Sequence, residues 1–302
     1  MPVQTASANG LEIAYETFGS PSDTPLLLVM GLGTQMLGWP DEFCAGLAER
    51  GYFVIRYDNR DVGLSTHLHD APPPDPQAAM AGDTSSASYT LSDLAADGVG
   101  LLDALGFESV HLVGVSMGGM IAQTLVIEHP ERVRSLVSIM STTGDPAVGT
   151  ATPAAIQALL RPPASSRAEM IDGAVEAWKV IGSPGFPFDE ESVRGRSALS
   201  YDRAYDPAGL GRQLVGIFAS GDRTPRLREV DTPTLVIHGT EDPLVSFSGG
   251  EATAAAIPGA ELLPIHGMGH DLPREVWGRM IDGIAETVAK GERLAPSALP
   301  PA

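Results

Sequence analysis

One hydroxyl stands among glycines in residues 112–120, LVGVSMGGM, where Ser116 directly follows an apolar run. The pattern G-x-S-x-G is short enough to arise by chance, so its meaning depends on a strand-turn-helix setting. That setting is legible here: VHLVGVS reads as a strand, and MGGMIAQTLVIEHPERV reads as a helix that opens at the serine. In such an elbow Gly114 and Gly118 let the chain turn and pack closely while the hydroxyl stands free. The helix N-terminus also favours negative charge developing at the serine.

A serine hydroxyl is a weak nucleophile until a base takes its proton, and the base needs an acid to orient it. Both should follow the serine, on loops after later strands, in the order acid then histidine. Of the seven histidines, His67 and His69 fall in a polar loop, His111 begins the strand before Ser116, and His129 ends a helix. His238 and His266 sit at strand ends, where packing or hydrogen-bonding roles are expected. His270, in IHGMGHDLP, lies beyond the last strand in a glycine-hinged loop that can carry an imidazole over Ser116, and it is taken as the base ahead of His266. For the acid, the loop in LVIHGTEDPLV offers Glu241 and Asp242, and Asp145 follows an earlier strand. An oxyanion hole needs two backbone N–H groups. Met117, the residue after the serine, supplies one, and Leu32, in the bend MGLGTQ shaped by Gly31 and Gly33, supplies the other.

The elements that must position these groups form an alternating pattern. LEIAYETF (11–18) alternates like an exposed edge strand. PLLLVMG (25–31), FVIRYD (53–58), VHLVGVS (110–116), VRSLVSIM (133–140), TLVIHG (234–239) and AELLPIHG (260–267) are continuous apolar runs separated by helical stretches. Such runs predict a mostly parallel, doubly wound α/β sheet covered on both faces. Residues 67–89, rich in Pro, Ala, Asp and Ser, read as a long surface loop. Residues 142–229 hold helical patterns and no convincing strand, so they are expected to be a helical cap inserted between two strands. The remainder, 1–141 and 230–291, forms the core, with 292–302 as a flexible tail. Gly31 and the cap aromatics Trp178, Phe186 and Phe218 are the candidate pocket residues, among further cap side chains that include Phe188, Tyr201 and Tyr205.

The chain has 302 residues, 43% of them apolar and 19% charged, and a formal net charge of -19. So acidic a chain makes nucleic acid and anionic membranes poor partners and disfavours strongly anionic substrates. Cys44, the one cysteine, reads as a small buried hydrophobe, and no disulfide framework is possible. The first residues have neither the basic nor the apolar region of a leader, and no apolar run is long enough to span a membrane. A cytoplasmic protein is expected. A decoy lies at Gly31-x-Gly33 followed by a helix and a strand ending at Asp58, which imitates a dinucleotide fingerprint. Met36 occupies the third glycine's place and the next glycine is Gly38, so no nicotinamide or flavin is assigned, and no metal site.

Taken together, GVSMG, GTEDP, GMGH and RYDNRDVGLS resemble the α/β-hydrolase superfamily over nearly the whole chain. LLLVMG, LGWPDEF, IRYDNRDVGLST, VGVSMGG and IHGMGHDLP are similar to the bacterial carboxylesterase branch that includes the anthracycline methylesterases. The resemblance implies a cofactor-free, monomeric or dimeric esterase acting on a small-molecule ester through an acyl-enzyme, with Asp242 rather than Glu241 as the acid. One departure is Met30 before Gly31, where many members have histidine, so any role of that imidazole is lost. Asp58 and Arg60 are charged and tempting as catalysts, but they are expected to tie their loop to the oxyanion strand, with Gly63 supplying a backbone conformation.

Overall fold

The strands run β1 (Gln4–Ala8), β2 (Leu11–Phe18), β3 (Thr24–Val29), β4 (Tyr52–Tyr57), β5 (Val110–Val115), β6 (Val133–Ile139), β7 (Thr234–Gly239) and β8 (Glu261–Ile265). In the computed structural model, which describes residues 2–294, they form one sheet in the order β1-β2-β4-β3-β5-β6-β7-β8. From β4 to β8 every neighbouring pair is parallel, and β1 and β2 join antiparallel at one edge. Strands β4, β5 and β7 are buried at every position, as expected where helices cover both faces.

The helices are α1 (Asp41–Ala48), α2 (Pro76–Met80), α3 (Leu91–Leu105), α4 (Met117–Glu128), α5 (Pro153–Leu159), α6 (Arg167–Ile181), α7 (Glu190–Arg203), α8 (Pro207–Ser220), α9 (Thr224–Leu227), α10 (Phe247–Ala256) and α11 (Trp277–Leu294). Helices α3 and α4 contribute Leu91, Leu94, Leu101, Ile121 and Leu125 to the core on one face of the sheet. On the other face, α1 contributes Phe43 and Leu47, and α11 contributes Met280, Ile281, Ile284 and Val288 at helical spacing. Each such side chain contributes about 1.5–3 kcal/mol by its burial. Local signals set the ends: α3 opens with a capping box between Thr90 and Asp93 and closes at Gly106 with φ 78°. Cys44 is buried on α1, and desolvation pushes its thiol up to about 12. No helix among the described residues is long and apolar enough to cross a membrane.

Chain direction explains where a site can form. From β3 the chain passes through α1 to β4 on one side, and from β4 it returns through α3 to β5 on the other side of β3. The loops leaving β3 and β5 therefore diverge, and a crevice opens at their carboxyl ends, the usual binding position in an open α/β sheet.

Three details differ from the sequence-based expectations. The edge strand is β1, and β2 is paired on both sides, to β1 and β4. The turn between them is Asn9-Gly10, both with positive φ (50° and 77°), the signature of a tight hairpin. The loop at 67–89 contains α2, and its last residue, Tyr89, is buried with its hydroxyl donating to Asp61 Oδ2 at 2.7 Å. The last helix continues through Leu294, because Glu292 pairs with both His111 and Arg134. The rest of the expected tail, residues 295–302, lies outside the described residues.

The charged pair after β4 divides between two tasks. Asp58 reaches the bend after β3 by accepting from the Met36 amide at 2.7 Å, whereas Arg60 turns the other way and grips Asp97 of α3 with two contacts of 2.6 Å. Asp97 is 1% exposed and also accepts from Asn9, which fastens the β1–β2 turn to α3. Replacing Asp97 with Ala strands a buried guanidinium, so the unfolding free energy should drop by about 3–5 kcal/mol. Urea denaturation of the variant beside the parent checks this, and a loss below about 1 kcal/mol would mean that water compensates the charge.

Candidate active site

Ser116 sits between β5 and α4 with φ 54° and ψ -122°, a conformation that L-residues rarely adopt. The turn is held at both ends. Its amide donates to Ile139 O at 2.9 Å, and its carbonyl accepts from Gly119 N and from Ser141 Oγ, both at 2.9 Å. The close approach explains the flanking glycines: a Cβ on Gly114 would lie 2.2 Å from Gly118 O, and one on Gly118 would lie 2.1 Å from Val29 O. Strand β5, helix α4 and strand β3 thus meet backbone to backbone beneath the hydroxyl.

Two later loops converge on that hydroxyl. His270 Nε2 is 2.9 Å from Ser116 Oγ, and His270 Nδ1 is 2.7 Å from Asp242 Oδ2. The other carboxylate oxygen of Asp242 accepts from the Leu244 and Val245 amides, both at 2.9 Å, which fixes the group in its turn. Because the carboxylate can only accept, Nδ1 carries the hydrogen and Nε2 presents its lone pair to the serine. The competing candidates lie elsewhere. Glu241 and His266 are exposed, and Asp145 Oδ1 caps its own turn at Ala147 N.

On the opposite side, the bend after β3 lies against the serine: a Cβ on Gly31 would be 3.1 Å from Ser116 Cβ. Neither the Leu32 nor the Met117 amide donates to a protein acceptor among the described residues, whereas Gly33 N donates to Gln213 Oε1 at 2.8 Å. Of the pocket candidates, Gly31 adjoins Ser116 and Phe186 packs against the cluster that contains Met268 and Ile265. Trp178 lies under the Arg196 guanidinium at 5.7 Å, and Phe218 stands exposed on α8.

The helical segment α5–α9 braces these loops through residues that the sequence did not single out. Gln213 of α8 holds Gly33 N and donates to Arg60 O at 2.7 Å. Arg203 of α7 reaches Asp58 Oδ2 at 2.8 Å, while burial pushes the Asp58 carboxyl above its ordinary range. The histidine loop is bound to the end of α6: His270 N donates to Ile181 O at 2.7 Å, Gly185 N to Gly267 O at 2.9 Å, and Gly269 N to Ser183 Oγ at 2.8 Å. The Ser183 hydroxyl in turn donates to Asp271, whose carboxyl burial raises and this bond lowers. Ser-Pro-Gly at 183–185 is the only local hint of such a junction, and it reads as an ordinary turn.

His238, expected at a strand end as a packing residue, is fully buried 3.6 Å from Asp242, with Nε2 donating to Val245 O at 2.8 Å. Burial holds its pKa below the usual 6.5, with Asp242 opposing the shift. A depressed folded-state value means that the unfolded chain takes up the proton first as pH falls. Stability is then full above about pH 6.5 and declines below it. Denaturant midpoints measured between about pH 7.5 and pH 5 should fall, and His238→Gln should flatten the slope, with the buried His111 accounting for part of what remains. An unchanged slope in the variant would assign the decline to other groups.

Comparison with known proteins agrees with this architecture. A family model described as "alpha/beta hydrolase fold" matches residues 24–182, and a second, described as "TAP-like protein", matches residues 218–275. Rhodomycin D methylesterase DauP of Streptomyces sp. (strain C5) is 31% identical over 297 residues, covering 91% of this chain and 94% of that protein. DnrP of Streptomyces peucetius, also a rhodomycin D methylesterase, matches with the same identity and coverage. Among solved structures, a hydrolase from Pseudomonas aeruginosa PA01 superposes with a TM-score of 0.69 at 27% identity, covering 95% of this chain and 98% of that one. The chain belongs to the α/β-hydrolase superfamily and is similar, within it, to the anthracycline methylesterases.

Proposed function

We propose that the protein is a serine ester hydrolase in which Ser116, His270 and Asp242 form the catalytic triad. One observation carries this reading: an unbroken line from Ser116 Oγ through the imidazole to a buried carboxylate, at 2.9 and 2.7 Å. Ser116 attacks the acyl carbonyl as His270 Nε2 takes its proton. Asp242 keeps Nδ1 protonated and stabilises the imidazolium that forms. The Leu32 and Met117 amides receive the tetrahedral oxyanion. His270 then returns the proton to the departing alcohol, leaving an acyl-enzyme, and a water activated by the same imidazole releases the acid.

In this reading residues 142–229 are a cap over a core made of 1–141 and 230–291, and side chains of the cap select the substrate. Gly31, Trp178, Phe186 and Phe218 are the positions from which a pocket would be mapped. The acidic chain and the methylesterase relatives support a neutral, small to medium, fairly apolar ester. The chemistry draws on side chains and amides alone, so no cofactor is invoked. A cytoplasmic monomer or homodimer completes the proposal.

The test is a panel of p-nitrophenyl esters from acetate to palmitate, with methyl esters of aromatic acids, run on the parent and Ser116→Ala. The variant should lose about four orders of magnitude or more in kcat with Tm unchanged, and the chain-length optimum reports the depth of the pocket. Most activity surviving in Ser116→Ala would overturn the mechanism. Labelling of Ser116 by a fluorophosphonate without turnover of any ester would replace ester hydrolysis with lactone or C–C bond hydrolysis on the same triad.

A further inference from the structure

Two histidines and a carboxylate outside the triad face one another beside a groove of about 580 Å³ formed by residues 66–72 and 85–88. His67 and His69 lie in the loop after β4, and Asp206 caps the start of α8. Their ligating atoms all lie within 4.8 Å of one another. His67 Nδ1 is 2.9 Å and His69 Nδ1 is 3.9 Å from Asp206 Oδ2. Those spacings bracket the edge of a tetrahedron, about 3.3–3.5 Å, expected when nitrogen and oxygen ligands stand about 2.0–2.2 Å from one zinc ion.

The hydrogen-bond accounting at His67 points the same way. Its Nε2 lies 3.0 Å from Gly63 O, and its Nδ1 faces the carboxylate, so both ring nitrogens meet acceptors. A neutral imidazole has one N–H. With that hydrogen on Nε2 and given to Gly63 O, the Nδ1 lone pair looks at a carboxylate oxygen, and a positive charge belongs between them. A backbone carbonyl holding the far nitrogen is also the usual support of a metal-bound histidine.

The remaining polar groups around Asp206 have partners of their own. Asp206 Oδ1 is occupied by the Ala208 amide at 3.1 Å, which directs Oδ2 toward the histidines. Arg212 touches Oδ2 at 3.1 Å, but its charge is met by two contacts to Asp61, of 2.7 and 2.8 Å. His69 stacks on His67 with centroids 5.4 Å apart, and its side chain is 73% exposed, so solvent rather than packing surrounds most of its ring.

We propose that His67 Nδ1, His69 Nδ1 and Asp206 Oδ2 bind a divalent transition-metal ion of the zinc class, with water from the groove in the fourth position. Two imidazoles and one carboxylate suit zinc far better than calcium or magnesium, which prefer oxygen ligands. The ion ties the loop after β4 to the first turn of α8. It therefore acts as a clamp between sheet and helical segment and takes no part in ester cleavage. The three residues escape a motif search because His67 and Asp206 are 139 positions apart.

The test uses full-length protein stripped with a chelator and titrated with zinc sulfate, read by calorimetry and by thermal unfolding. The expected result is one ion per chain, a Tm that rises with zinc and not with magnesium, and p-nitrophenyl ester turnover that survives chelation. His69→Ala, at an exposed position, should fold normally, keep that turnover and bind zinc at least about 10–100-fold more weakly, the loss that removal of even an outer-shell partner brings. His67→Ala should abolish the stabilisation. No heat and no Tm shift in the parent, or equal zinc affinity in the parent and His69→Ala, would overturn the proposal and leave the His67–Asp206 contact as a hydrogen bond.

Discussion

The arrangement depends on one backbone conformation, that of Ser116. Holding a non-glycine residue at φ 54° and ψ -122° costs on the order of 1–3 kcal/mol, so the surroundings must over-determine it. They do so from three directions. Strand β6 accepts the serine amide through Ile139, Ser141 holds the carbonyl, and helix α4 begins immediately with Gly118 pressed onto the end of β3. Shifting that turn would move the hydroxyl relative to His270 and to the Gly31 bend at once, since His270 Nε2 is hydrogen-bonded to it and the bend leaves little space for a side chain against Ser116.

Legibility in the sequence followed the range of the physics involved. The apolar runs and caps are local, so β3 to β8 and α3 could be read from burial and capping rules. Ser116 could be read because the elbow is written within five residues, and His270 because strand order limits where a base can come from. QTASA of β1 is small and polar and carries no strand signal of its own, although Asn9-Gly10 carries a hairpin signal that alternation alone does not weigh. Asp242 needed family resemblance, since Glu241 and Asp242 are adjacent and only the folded turn sets one inward and the other outward. Its place in the sequence makes Arg60 look like a brace for the oxyanion strand, yet it pairs with Asp97 across the β4–α3 crossover, a contact that no local rule anticipates.

Least legible were the braces from the helical segment. Gln213, Arg203 and Ser183 meet partners 180, 145 and 86 residues away, and each is an ordinary polar residue of a helix or turn when read alone. Partial burial gives them their force. A hydrogen bond made inside a protein is modest in net worth, but leaving its partner unmade costs about 1–3 kcal/mol. The loops carrying the proposed oxyanion amide and the proposed base therefore take their positions jointly from the sheet and from the helices packed across its end.

That joint ownership bears on how such chains diversify. Helical segments between β6 and β7 look like interchangeable modules, because the chain enters and leaves them at adjacent strands. Here an exchange would remove the carbonyl of Ile181, the hydroxyl of Ser183 and the amide of Gln213 together, leaving Gly33, Gly269 and His270 without their partners. A transplanted segment must bring matching anchors at those positions, or its host loops will drift. Side-chain replacement between these anchors leaves the loop contacts in place, whereas exchange of the whole segment does not.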